Sequence, residues 1–115
     1  MQKNKNIKSG NIFEVKENKN RKSEIFEILK ENDKIIIEKI ISYGQKTPDE
    51  EWLSEINDEW VILLQGKSEI LYENNLSCIM KAGDYIFIPS GTKHKVTYTS
   101  EKPPCIWLAV HGNLK

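Results

Sequence analysis

At 115 residues and 13.4 kDa the chain has room for one domain, long enough to bury a core without disulfide staples. Its 17 basic and 17 acidic side chains cancel, so it lacks the basic surplus of an electrostatic nucleic-acid binder. No apolar run approaches the ~20 residues that span a bilayer, and no apolar segment of secretory type follows the basic stretch Met1–Gly10. No nucleic-acid or membrane partner is therefore expected. The chain reads as cytoplasmic, with Cys78 and Cys105 a reduced pair.

In chain order, residues 1–22 carry few large apolar groups, chiefly Ile7, Ile12, Phe13 and Val15. Such a segment cannot by itself bury enough surface to offset its ordering entropy. It reads as a flexible arm, either with Asn11–Val15 docked on the body or as a disordered tail throughout. The folded domain is expected over residues 23–115. Ser23 can cap a short helix reaching Lys30, with Glu24 in its first turn and Ile25, Ile28 and Leu29 on one face, ended by Asn32-Asp33.

From Lys34 the pattern changes. Ile35–Ile41 is β-branched and reads as a strand. Gly44–Asp58 is polar and acidic and reads as a long loop, a length usually tied to function or motion. Strands are then predicted over Glu59–Gln65, Ser68–Glu73, Leu76–Met80, Tyr85–Ile88, His94–Thr99 and Cys105–His111. Turns separate them at Gly66-Lys67, Asn74-Asn75, Ala82-Gly83-Asp84, Pro89-Ser90-Gly91 and Glu101–Pro104. Short strands at such spacing indicate an all-β sandwich or barrel.

One stretch is more specific. Gly83, Pro89, Gly91 and His94 read G-x5-P-x-G-x2-H, which resembles the second signature motif of the cupins, small double-stranded β-helix (jelly-roll) barrels. Gly83 permits a tight turn into a short apolar strand, Pro89 and Gly91 make the next turn, and His94 opens the returning strand. The cupins' first motif is G-x5-H-x-H-x(3 or 4)-E-x6-G. Its second half is present as Glu59 and Gly66, but its histidine positions fall on Leu53 and Glu55 with the shorter spacer, or on Trp52 and Ser54 with the longer. The resemblance extends from about Glu24 to His111 and takes in Glu59-Trp60-Val61 and Trp107–His111, a pattern similar to small stand-alone bacterial cupins. It implies a cupin barrel with a short N-terminal helix. It does not select a function, because that fold hosts isomerases, epimerases, dioxygenases, decarboxylases and pure binding proteins.

The resemblance makes His94 a metal ligand inside the barrel; without metal it is a barrel histidine hydrogen-bonded to a neighbour. Glu59 falls on the family's carboxylate ligand, and a carboxylate in an apolar barrel must be paired, protonated or metal-bound. Glu55 would complete a Glu/Glu/His set suited to Fe, Mn, Ni or Zn; otherwise it is one carboxylate of a solvated acidic loop. No metal is expected if the departures in the first motif abolish binding. His111 either points inward near His94 or ends its strand at the surface. By strand alternation Val61 and Leu63 share a face with Glu59, Val96 and Tyr98 share one with His94, and Tyr85 pairs with Phe87. These six are expected to line a mostly apolar pocket, with plain core packing the competing role of each. Trp52 either lids the barrel mouth or anchors the long loop. Strand Glu59–Gln65 is apolar on both faces and needs cover; the Ser23–Lys30 helix and the Ile35–Ile41 strand are expected to supply part of it, and a homodimer, common among cupins, the rest. The expected function is binding of a small polar molecule in the barrel, with or without a divalent metal at Glu59 and His94. The alternatives are a metal-dependent isomerase, epimerase or oxygenase, and a structural dimeric scaffold.

Overall fold

The short apolar runs between turn signals become eight strands: β1 (Ile25–Glu31), β2 (Ile35–Ser42), β3 (Asp58–Gln65), β4 (Lys67–Tyr72), β5 (Ser77–Lys81), β6 (Tyr85–Ile88), β7 (His94–Thr99) and β8 (Cys105–Gly112). The structure, a computed structural model, describes residues 7–15 and 22–115, so residues 1–6 and 16–21 of the expected arm lie outside it. All pairings are antiparallel. They form a five-stranded sheet in the order β1-β2-β8-β3-β6 and a three-stranded sheet in the order β5-β4-β7. Between the sheets lies one core. Val61 and Leu63 of β3 and Cys105, Trp107 and Ala109 of β8 pack with Ile70 of β4 and Met80 of β5. The result is an all-β jelly-roll barrel.

The expected N-terminal helix is absent; its residues form β1 and pair with β2. The reason is a β-bulge. The register shifts between Ile28 and Lys30, leaving Leu29 without a direct partner. A bulge slips the two-residue alternation by one, so the spacing of Ile25, Ile28 and Leu29 imitates a helical period. None of the described residues forms a helix, and so none forms one long and apolar enough to cross a membrane. From β2, the buried Lys39 donates from Nζ to the Glu14 carbonyl at 2.5 Å.

The long loop before β3 is tied down along the open edge of β7. Thr47 and Val96 exchange two hydrogen bonds: Thr47 N donates to Val96 O at 2.8 Å, and Val96 N donates to Thr47 Oγ1 at 3.0 Å. Leu53 and His94 exchange two backbone bonds of 2.7 and 3.0 Å. Lys95 reaches back to the Asp49 carbonyl at 2.6 Å, and its ammonium lies 4.3 Å from the centre of the Trp52 ring. A covered edge cannot template pairing with another chain. It also fixes the backbone on both sides of His94.

Candidate functional site

Strand register brings two carboxylates onto one histidine. Glu59 of β3 stands directly opposite His111 of β8. On the other side of β8, β2 sets Glu38 opposite Ala109, diagonal to His111 and on its face. His111 Nδ1 is 3.5 Å from Glu59 Oε2, and His111 Nε2 is 3.3 Å from Glu38 Oε1. The three side chains are only 14–19% exposed. Burial pushes the Glu59 carboxyl above its ordinary range, against the opposing pull of His111 and then His94.

His94 is placed by the turn that precedes it. Asp58, at the start of β3 and 2% exposed, accepts hydrogen bonds from Ser90 N and Leu114 N, each 2.9 Å. These bonds, that from Ser90 first, hold its carboxyl below the usual aspartate value. One carboxylate thus clamps the turn of the second motif to the segment that follows β8, a role that nothing in the sequence pattern announces. Its stabilising effect is complete above the ordinary aspartate value of 3.8 and is lost as pH falls through the lowered one. Asp58→Asn should therefore lower the unfolding midpoint at neutral pH and remove that acid-range loss. Midpoint profiles that run parallel in wild type and variant down through the acid range would refute the clamp.

His94 itself is 4% exposed. Its Nδ1 lies 3.0 Å from the Thr92 carbonyl; a carbonyl can only accept, so Nδ1 carries the proton and donates. In the neutral ring this leaves Nε2 as an acceptor, with no hydrogen-bond partner among the described residues.

These groups share one cavity of about 290 Å³. Val61, Ile70, Val96 and Trp107 form apolar wall, Glu38, Glu59, His94 and His111 supply the polar part, and exposed Phe26, Leu53 and Glu55 stand at the rim. Trp107 Nε1 donates to Ser42 Oγ at 3.2 Å, and Ser42 Oγ donates to Glu24 Oε2 at 2.5 Å, which fixes a fourth carboxylate against the cavity.

Of the residues singled out from sequence, Glu59, His94, Glu55, His111, Val61 and Val96 line this cavity. Five do not. Tyr85 and Phe87 point outward, 64% and 45% exposed, because Ile88 is the residue opposite Glu59 in the β3–β6 register. Tyr98 is turned out by a bulge that pairs Glu69 with Tyr98 but Ile70 with Val96, and Thr99 takes the inner place. Leu63 is fully buried in the packed core beside the cavity. Trp52 is engaged with Lys95 on the loop.

Glu38, Glu24 and Phe26 were missed. Glu38 interrupts the isoleucine run of β2 on the face of Ile36 and Ile40, and that alternation was the available signal. The other two were hidden by the helical reading of β1. As for a metal, transition-metal sites in proteins need at least three converging donors. Among the described residues no three His, Cys, Asp or Glu side chains gather in that way. Leu53 stands where the family places a histidine, Glu55 is exposed, and both ring nitrogens of His111 face carboxylates. The residues present do not fit a metal centre.

The sequence matches the family profile described as cupin domain over residues 40–111. Among solved structures it is similar to a protein of Ralstonia eutropha JMP134 provisionally named a mannose-6-phosphate isomerase. That match has 35% identity and a TM-score of 0.87, and it covers 93% of this chain and 99% of the other. A cupin superfamily protein of Desulfitobacterium hafniense DCB-2 matches at 16% identity and TM-score 0.69, over 88% and 84% of the two chains. The polyketide cyclase RemF of Streptomyces resistomycificus matches at 19% and 0.71, over 92% and 79%. The last two likenesses speak for the fold alone. No curated protein matches the sequence. With its jelly-roll barrel, its second-motif histidine inside and a profile match across most of the barrel, this chain belongs to the cupin family.

Proposed function

We propose that the chain is a cytoplasmic binding protein that holds a small polar molecule in the barrel without a metal. The observation that carries this reading is the set Glu38, His111, Glu59 and His94 gathered on one cavity. Burying four ionisable groups beside apolar wall works against stability, and such arrangements concentrate at functional sites. The volume, about 290 Å³, is at the lower end for ligand pockets and suits a small metabolite. The cytoplasmic address rests on two free thiols, Cys78 and Cys105.

A second reading, an acid–base enzyme, is favoured by one observation, the buried Glu59 with its raised pKa beside an imidazole. Such a carboxyl can hold a proton nearer neutrality than a solvated one and pass it to a bound substrate.

A thermal-shift screen of small polar metabolites tests binding. Hits should raise the unfolding midpoint of the wild type and lose their effect in His94→Ala; hits that are indifferent to that change would overturn the reading. Elemental analysis after loading with Fe, Mn, Ni or Zn should find no stoichiometric metal. Stoichiometric metal that disappears in both Glu59→Gln and His94→Ala would establish the metal-dependent alternative.

A further inference from the structure

The polar groups of the cavity are almost all acceptors. Four carboxylates line it, those of Glu24, Glu38, Glu55 and Glu59, and no lysine or arginine does. With Glu59 neutral and both His94 and His111 charged, three carboxylates still face two cations, so the lining keeps a net negative charge.

The hydroxyl and indole donors are already committed to protein acceptors. Ser42 donates to Glu24, Trp107 to Ser42, and Thr99 to the Gln45 carbonyl at 2.5 Å. His94, more than nine-tenths buried and lining the cavity, offers in its neutral form an Nε2 lone pair with no partner among the described residues. Carboxylates and such a nitrogen accept hydrogen bonds and give none. A phosphate or carboxylate entering here would meet like charge and few donors, and a neutral polyol would satisfy only part of the acceptors. An ammonium group supplies both the missing charge and the missing N–H bonds. The rings of Phe26 and Trp107 stand on the same cavity, where they can cover an alkyl stem and attract the cation to their faces.

We infer that the cavity takes a small organic amine in its protonated form, the ammonium lodged among Glu38, Glu59 and His94 and the carbon stem against Phe26 and Trp107. This rests on the binding reading above and adds the charge class of the ligand. It sets this site apart from one for a sugar phosphate, the substrate class in the name of the Ralstonia protein.

The test uses probes matched in size, n-butylamine (cationic at neutral pH), n-butanol and n-butyrate, together with mannose 6-phosphate and Zn²⁺. Each is titrated into the full chain while the Trp107 indole N–H is followed by ¹⁵N-correlated NMR. Butylammonium should shift that resonance with millimolar affinity, as befits so few atoms, and bind about tenfold tighter than butanol. Butyrate and mannose 6-phosphate should leave it unmoved. Glu38→Gln and Glu24→Gln, checked for native spectral dispersion, should each weaken butylammonium severalfold without changing butanol.

Equal binding of butanol and butylammonium at Trp107 would overturn the amine inference and leave the pocket reading standing. So would tighter binding of either anion. One-to-one Zn²⁺ binding that is lost in His94→Ala would overturn it by giving the carboxylates to a metal. If no probe moves Trp107, both readings fail.

Discussion

Replacing His111 with leucine should cost about 3 kcal/mol of folding stability, whereas Glu59→Gln, one residue across the ladder, should raise stability by about 1 kcal/mol at neutral pH. The asymmetry follows from which charge each change leaves behind. His111 sits between Glu38 and Glu59 at 3.3 and 3.5 Å. Leucine would leave two largely buried carboxylates facing each other with no group between them, and an uncompensated buried charge is the costly outcome. Glu59→Gln removes a carboxylate that burial already disfavours and keeps an amide of similar shape beside the imidazole. The pH dependence has a definite sign. Because the folded-state pKa of Glu59 is raised above 4.5, the folded protein takes up the proton first. Its ionised form therefore weighs against folding above that raised pKa, and the penalty is relieved as pH falls toward the ordinary value. The advantage of Glu59→Gln should thus be present at neutral pH and vanish in acid. Urea unfolding of the two variants and of the double variant checks this, and the double variant should recover part of the His111→Leu loss. Equal destabilisation by both single changes would mean that Glu59 is a net stabilising partner, and would remove the physical case for a site held at the expense of stability.

Turn chemistry places strands β2 to β8 with no end displaced by more than one residue, because Gly, Pro and Asn punctuate the chain between short β-branched runs. Asn75, in one of these turns, adopts the left-handed conformation at φ 66°, which asparagine tolerates. Where strands bulge, the local pattern misleads. At Leu29 a bulge made a strand look helical, and near Thr97 another turned Tyr98 outward while two-residue alternation counted it in. Bulges are set by pairing with a neighbouring strand and leave little local trace in sequence. The candidate site divided along the same line. His94 and Glu59 stood out because a spaced motif marked them. Glu38 belongs to the cavity only through the alignment of β2 with β8, and Glu24 only through a hydroxyl bond from Ser42. Long-range register of that kind has no signature within a window of ten residues.

The glycines of the two motifs should differ sharply in what they tolerate. Gly66 lies between β3 and β4, at the passage from the five-stranded to the three-stranded sheet, at φ +94°; Gly83 precedes β6 at φ +97°. Either position strains an L-residue by about 1–2 kcal/mol. The surroundings separate them. A Cβ on Gly66 would lie 2.7 Å from Ser100 Oγ, 2.9 Å from Cys105 Sγ and 3.0 Å from Cys105 Cα, whereas one on Gly83 would meet nothing within 4 Å. Nor can the neighbours of Gly66 step aside. Ser100 Oγ accepts from Lys67 N at 3.0 Å and donates to Pro103 O at 2.7 Å, and Cys105 Sγ donates to Lys67 O at 3.1 Å. The crowding adds an overpacking cost of about 1–3 kcal/mol. Gly66→Ala should therefore lose about 3 kcal/mol in urea unfolding and Gly83→Ala about 1 kcal/mol. A Gly66→Ala loss no larger than that of Gly83→Ala would show that the Ser100–Cys105 cradle yields. The spacing from Glu59 to Gly66 would then reflect backbone conformation alone, and the close approach of the two sheets at this corner would play no part in it.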